Sequence, residues 1–326
     1  MGVYYLETGS TDPAYNLAFE EYVQANRREG NYLILWQNAN AVIIGRNQNA
    51  EAEINRQFVD QHGIRVVRRN TGGGAVYHDM GNLNYSFITD AAAPQDRSAA
   101  QFTSPVVNAL MDLGLDAAAS GRNDILISGH KISGTAQYLM KDRLLHHGTL
   151  LFDSDLSTVS EALNPDPTKL QSKGIKSVRS RVGNIRQFLT EDMNLGEFWN
   201  YLKESLADEL IPTTLSDEEK AAVAALKQEK YDTWQWNYGK SPAYQQVSRK
   251  RFSGGLLELH VTVDKGIIQA LGIYGDFLAL TPVEPLEAAL LGCPRRADAI
   301  EAVLAQQDLS CLGSITPQEF IEVLLQ

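Results

Sequence analysis

The sequence predicts an α+β protein, a mixed β-sheet with flanking helices followed by a small α/β module at the C-terminal end. Two observations carry this. Short strand-like runs come in groups joined by hairpin-type turns, with helical segments between the groups and no regular strand–helix–strand rhythm. Past about residue 247 the pattern restarts: Leu256–Val263 and Ile267–Tyr274 flank Asp264-Lys265-Gly266, a hairpin turn, and three helical segments follow. The expected domains are 1–246 and 247–326, with the boundary over Val247–Ser253.

Composition narrows the function. With 326 residues, 44% hydrophobic and 21% charged, the chain has the make-up of a globular protein with about two cores. A net charge of −11 argues against a general nucleic-acid coat, which would be basic. Cys293 and Cys311 show no metal or disulfide spacing, so a reduced, cytoplasmic setting is expected. The first residues carry no basic-then-apolar leader pattern, and no uncharged apolar run reaches about 18 residues, so no membrane span is expected.

In chain order, Asp12-Pro13 reads as a cap and first turn, opening a helix with Ala14, Leu17, Ala18, Tyr22 and Ala25 on one face. Glu20 and Glu21 read as a solvated acidic pair. Strands are expected at Tyr32–Trp36 and Ala41–Gly45, one helix at Ala52–His62, and a strand at Ile64–Arg69. The alternation over Asn82–Ile88 predicts a half-buried strand, and Ser98–Leu113 a helix. A strand, tight turn and strand are expected within Gly121–Gly134, with further strands at Thr135–Met140 and Leu144–Phe152. Pro165–Arg186 gathers Lys169, Lys173, Lys176, Arg179, Arg181 and Arg186, a candidate phosphate- or partner-facing surface. Helices are expected over Leu195–Leu210, ended by Pro212, and over Ser216–Lys230, where Ser216 and Glu219 form a capping box. An aromatic connector, Tyr231–Tyr244, leads to the C-terminal module. Its last helix starts at Thr316, with Glu319 completing a second box.

The chemistry centres on Arg68–Asp79, RRNTGGGAVYHD. Three glycines permit positive φ and close approach of backbone to a ligand, and the arginines offer forks for an anion. There is no GxSxG, HExxH, GxxxxGK[ST] or GxGxxG, which excludes a standard P-loop enzyme and makes a dinucleotide fold a poor fit. The remaining polar set suits activation of a carboxylic acid by a nucleotide. Two anions must be brought into line, so Lys131 and Arg69 are expected to supply charge, glycine-loop amides to line the ligand, and Asp124 to carry Mg²⁺. The same residues admit plainer readings, Asp124 as a turn cap, His147 as a satisfied strand histidine and His78 as a histidine partly exposed at a strand end.

Taken together the motifs resemble the lipoate–protein ligase family. They are NLAFEE (Asn16–Glu21), RRNTGGGAVYHD, GRNDI (Gly121–Ile125), HKISGTAQ (His130–Gln137), HHGTLL (His146–Leu151), KGIKSVRSRVGNI (Lys173–Ile185) and GGLLELHVTVDKG (Gly254–Gly266). The resemblance implies a catalytic domain like those of biotin protein ligases and class II synthetases, plus an accessory domain. It implies an enzyme that joins lipoate and ATP into lipoyl-adenylate, releasing pyrophosphate, with Mg²⁺. The lipoyl group then passes to a lysine of a lipoyl domain, in a 2-oxoacid dehydrogenase complex or the glycine-cleavage H protein. By position, Arg69, Gly74, Ala75, Val76, Tyr77, Lys131 and Asp124 are expected to bind ATP. Gly72, Gly73, Lys131 and His147 are expected to bind lipoate, with Lys131 the catalytic residue and Asp124 the metal ligand. Alternatives are an acyltransferase of the same fold, moving lipoyl or octanoyl groups between carriers, and a non-catalytic lipoate-binding relative.

Overall fold

A computed structural model of the chain describes residues 2–121, 123–163, 182–239 and 246–326. In chain order its strands are β1 (Val3–Glu7), β2 (Asn31–Trp36), β3 (Ala41–Ile44), β4 (Arg65–Arg68), β5 (Val76–His78), β6 (Asn82–Asp90), β7 (Ala117–Ser120) and β8 (Asp124–Ile127). Then come β9 (His130–Met140), β10 (Arg143–Leu151), β11 (Leu210–Pro212), β12 (Gln246–Phe252), β13 (Gly255–Asp264) and β14 (Ile267–Gly275). They form an eight-stranded sheet in the order β11-β1-β2-β6-β10-β9-β8-β7 and two three-stranded sheets, β4-β3-β5 and β12-β13-β14. The large sheet is mixed, since β1 runs parallel to β2 and β11 while the remaining pairs are antiparallel.

Helices Ala99–Asp112 and Leu195–Ser205 cover one face of this sheet, packing Phe102, Val106, Leu110, Phe198 and Leu202 on Leu33, Leu83 and Ile125. Helix Pro13–Asn26 covers the other face, packing Ala14, Leu17 and Ala18 with Ile34, Trp36, Tyr138 and Leu145. Each fully buried Leu or Ile contributes about 1.5–3 kcal/mol. Asp12 caps that helix by accepting from the Ala14 and Tyr15 amides. The small β4-β3-β5 sheet lies beside the same face, with its own core of Val42, Ile44, Val66 and Tyr77.

Several expectations change. Asn82, Asn84 and Ser86 are buried, because the polar face of β6 is covered and not solvated. Glu20 is buried too, accepting from Ser86 Oγ, and Glu21 is held by Lys230 and Tyr231, so the two are no solvated pair. Ala52–His62 is two short helices, Ala50–Glu53 and Arg56–Gln61. Ile54 bridges to Leu163 between them, and Asn55 caps the second by accepting from the Phe58 amide. The helix expected to reach Leu210 stops at Ser205, and Leu210–Pro212 joins β1 as an edge strand, where proline is tolerated. Val247–Ser253, where the domain boundary was expected, overlaps β12, a paired strand of the C-terminal sheet. Of the basic stretch Pro165–Arg186, residues 165–181 lie outside the described part. Its Arg186 is ion-paired with Asp153 and Asp192.

One irregularity positions a candidate site residue. β8 pairs with β9 as Asp124↔Gly134 and Ile125↔Ser133, then as Leu126↔Lys131 and Ile127↔His130. Ile132 is therefore an extra residue, a β-bulge that re-aims what precedes it. Without the bulge, Lys131 and Gly134 would point to opposite faces. With it, Lys131 shares the face of Asp124, Gly134, Ala136 and Tyr138.

Candidate active site

The glycine loop is folded by its own arginines. Arg68 donates to the carbonyls of Gly45, Arg46, Gln48, Trp236 and Asn237. Arg69 donates from Nε to Thr71 Oγ1 (2.8 Å), from Nη1 to Ile43 O (3.1 Å), and from Nη2 to Gly72 O (2.6 Å) and Gly74 O (2.9 Å). Burial pulls both guanidiniums down to about 10, so both stay charged at neutral pH. Of the pair that reads in sequence as forks for a ligand, Arg69 is turned inward on the loop and Arg68 onto the segments 45–48 and 236–237. Glycine is required at two points here: Gly73 has φ +90°, and a Cβ on Gly45 would stand 2.0 Å from Gly73 O.

Thr71 links the loop to the sheet. It is fully buried and its hydroxyl lies 2.8 Å from His147 Nε2, while His147 Nδ1 lies 2.9 Å from Glu20 Oε1. The polarity is consistent along the chain. Arg69 Nε–H donates to Thr71, the threonine O–H donates to His147 Nε2, and His147 Nδ1–H donates to Glu20. Ser86 also donates to Glu20 (2.6 Å) and accepts from Trp36 Nε1 (2.8 Å). His78, open in sequence to a reading as a partly exposed strand-end residue, is instead buried nearby. Asn38 donates to its Nδ1 (3.0 Å), so the proton sits on Nε2, which has no partner among the described residues. Burial, then the charge of Arg69, hold its pKa down to about 3, so this ring is neutral.

Lys131 Nζ pairs with Asp124 Oδ1 at 2.7 Å, both side chains more than a third exposed. The ammonium also lies 3.3 Å from where a Cβ on Gly134 would stand, so a side chain there would crowd it. Val182 bridges Lys131 in parallel, and the Gly183 amide donates to Lys131 O, which brings the described end of the basic stretch beside the lysine. His147 pairs with Ala136 across β10 and β9, so it shares the face of Lys131. From Gly134 to Ala136 is about 7 Å at ~3.3 Å per residue. The face thus offers a cation at one end, small residues Gly134 and Ala136 along the floor, and the Thr71–His147–Glu20 chain further on. Tyr138, large and buried, stands beyond Ala136.

The remaining expected residues fall in two groups. Gly74, Ala75 and Val76 are half-buried, with Val76 and Tyr77 on β5. The Tyr77 hydroxyl donates to Asn40 (2.9 Å). Among the described residues no three His, Cys, Asp or Glu side chains gather as a metal site. Asp124 is a single half-exposed carboxylate. That fits Mg²⁺ only in the mode where phosphate oxygens and water supply most ligands.

Residue motifs missed the contribution of the C-terminal module. Phe277 O accepts from the Gly73 amide (3.1 Å), Leu280 O accepts from Leu139 N (2.8 Å), and the Gly275 amide donates to Asn47 O (2.8 Å). Arg46 pairs with Glu284 at 3.2 Å. Gly72 permits this contact, since a Cβ there would meet Phe277 O at 2.6 Å and Ala279 N at 2.7 Å. Glu20 was also missed, because its helical position looks solvated until the sheet is built against it.

Comparisons with known proteins agree with this architecture. The family model for the lipoyl protein ligase A/B catalytic domain matches residues 12–207, and that for the bacterial lipoate protein ligase C-terminus matches residues 241–324. Lipoate–protein ligase 1 of Staphylococcus aureus is 42% identical over 318 residues, 96% of this chain and 97% of that protein. A lipoate-protein ligase A solved bound with ATP is 30% identical, with a TM-score of 0.62 over 73% of this chain and 98% of its own. A bipartite lipoate protein ligase of Thermoplasma acidophilum, studied with its E2 lipoyl domain, is 31% identical, with a TM-score of 0.65 over 75% of this chain and 98% of its own. With a buried glycine loop, a lysine re-aimed by a bulge and both parts of the family pattern in order, the chain belongs to the lipoyl protein ligase A/B family.

Proposed function

We propose that this protein is an ATP-dependent lipoate–protein ligase acting in two steps. The lipoate carboxylate attacks the α-phosphorus of ATP, a P–O bond breaks and pyrophosphate leaves. A lysine amine of the acceptor then attacks the carbonyl carbon of the mixed anhydride, AMP leaves and the amine gives up a proton. The observation that carries this reading is the bulge at Ile132, which sets Lys131 on the same face as the Gly134–Ala136 floor. A cation at one end of a strand face, with the small residues Gly134 and Ala136 beside it, suits a chain acid whose carboxylate must meet a phosphate.

Lys131 would neutralise the carboxylate and α-phosphate as they approach, and Gly72, Gly73 and His147 would border the acyl chain. Gly74–Tyr77 would face the nucleotide, and Arg69 would act on it through the loop it holds. Mg²⁺ held by Asp124 and the phosphates would supply Lewis-acid charge neutralisation. Acceptors would be lipoyl domains of 2-oxoacid dehydrogenase complexes or the glycine-cleavage H protein, in the cytoplasm. Transfer through a cysteine thioester is disfavoured. Cys293 and Cys311 are both buried in the C-terminal core, where burial raises both thiols, Cys311 to about 12.

The test is lipoate-dependent ATP–pyrophosphate exchange, followed by transfer to a purified lipoyl domain. Lys131→Ala should lower exchange by about 10²–10³-fold, as removal of one charge-stabilising donor does elsewhere. A wild-type protein without lipoate-dependent exchange would end this reading, and a fully active Lys131→Ala would end the role given to the lysine.

A further inference from the structure

Residues 208–240 fall between the two family matches, yet they hold the first arm of the glycine loop. Helix Asp217–Leu226 continues into a π-helical turn, Lys227–Tyr231, a local widening that often marks functional positions. Two successive residues of this turn close a ring with the loop and the first helix. Lys230 Nζ donates to Asn70 Oδ1 (2.8 Å) and to both oxygens of Glu21 (3.0 and 2.8 Å). Asn70 Nδ2 donates to Tyr231 Oη (3.0 Å), and the Tyr231 hydroxyl donates to Glu21 Oε2 (2.6 Å).

The ring fixes every proton. Tyr231 is buried against Glu21, which pushes its pKa well up, so it keeps its hydrogen for the carboxylate and offers a lone pair to Asn70. The Asn70 amide has one orientation, with its oxygen to the ammonium and its nitrogen to the phenol. A flipped amide would set NH₂ against –NH₃⁺. The same segment grips the neighbouring Arg68. Trp236 Nε1 donates to Arg68 O (2.8 Å), and Asn237 Oδ1 accepts from the Arg68 amide (2.8 Å). Lys230 Nζ also lies 4.2 Å from the centre of a Trp236 ring, a cation–π contact that holds the connector on itself. Asn70 immediately precedes Thr71, so the clamp and the Thr71–His147–Glu20 chain hold adjacent loop residues and both end on helix Pro13–Asn26, at Glu21 and Glu20.

We propose that Lys230 and Tyr231 are positioning residues for adenylation: by closing the Glu21–Lys230–Asn70–Tyr231 ring they hold Arg69–Gly74 in the reactive conformation. This rests on the glycine loop being the place where lipoate and ATP meet. Neither side chain needs to touch a reactant. Their effect is carried by the backbone of Asn70 into the loop, where a displacement of about 1 Å costs up to about a hundredfold in rate.

Two substitutions test it. Tyr231→Phe removes one oxygen and keeps the ring, and Lys230→Met keeps the stem without the charge. Each is read by kcat and KM of lipoate-dependent pyrophosphate exchange, and by amide hydrogen exchange over residues 68–78. Tyr231→Phe should lower kcat about tenfold or more with KM for lipoate within about threefold, and should speed amide exchange in 70–76 while β6 and β10 keep their protection. The double variant should be less than additive, because both members belong to one ring. Wild-type kcat in Tyr231→Phe overturns the proposal, as does a lower kcat with loop protection unchanged. If Lys230→Met does not fold, Tyr231→Phe decides alone. A wild-type enzyme without lipoate-dependent exchange overturns the adenylation reading instead, and the amide-exchange arm still decides whether the clamp exists.

Discussion

Replacing Thr71 by valine tests the buried chain at the heart of the site with nearly no change of shape. The hydroxyl accepts from Arg69 Nε and donates to His147 Nε2, both at 2.8 Å, in a position closed to solvent. Valine leaves a charged N–H and a ring nitrogen facing a methyl group. An unsatisfied buried group costs about 1–3 kcal/mol, more when charged, so Thr71→Val should lose about 3–5 kcal/mol. Thr71→Ser keeps the hydroxyl and gives up a methyl, about 1 kcal/mol. Denaturant midpoints of the two variants, at equal m-value, should therefore differ by at least about 2 kcal/mol in favour of serine. Exchange activity should follow the same order, serine retaining most of it and valine little. A valine variant within about 0.5 kcal/mol of wild type, or a serine variant no better than valine, would show that the hydroxyl does not hold the loop to the sheet.

Two further outcomes follow from other parts of the molecule. His146 stacks 5.0 Å from Phe102 with neither ring nitrogen partnered among the described residues, and burial holds its pKa down to about 3. The unfolded chain takes up this proton near pH ~6.5 and the folded one does not until about 3, so stability should fall by about 1.4 kcal/mol per pH unit in that window. His146→Phe should flatten the acid limb of a midpoint-versus-pH curve between about 6.5 and 4.5 by one proton's worth, His78 still contributing its own; an unaltered limb would contradict the assignment. Gly72→Ala places a Cβ against Phe277 O and Ala279 N, backbone atoms that cannot swing aside. The C-terminal module should lift from the loop, with faster amide exchange over 275–281 and a larger radius of gyration. Unchanged exchange there would mean the contact is not populated in solution.

Local rules were legible along the chain because their partners lie within a few residues. Asp12 before Pro13, Ser216 with Glu219 and Thr316 with Glu319 each cap a helix as their spacing predicts. The Asp264-Lys265-Gly266 hairpin does the same, with Lys265 and Gly266 both at positive φ. The glycine loop and the lysine beside a tight turn were visible as chemistry before any fold was built, and the ordered motifs named the family. What stayed hidden were positions whose environment comes from far away. Val3–Glu7, Ala117–Ser120 and Leu210–Pro212 become strands because the sheet offers them partners.

Composition, caps, turns and the order of polar motifs are properties of neighbouring residues, and the amino-acid string was enough to read a lipoate-ligase pattern from them. The use of each polar group was settled only by packing. Glu20 meets Ser86 and His147 across 66 and 127 positions of chain, and no helical periodicity distinguishes it from a solvated glutamate. Arg69 turns inward because four loop and strand acceptors surround it, and β6 hides its polar face because a helix and a second sheet lie over it. Lys131 depends on one extra residue. Alternation within β9 assigns it to one face and pairing with β8 assigns it to the other, and hydrogen-bond register, which exists only between strands, decides between them.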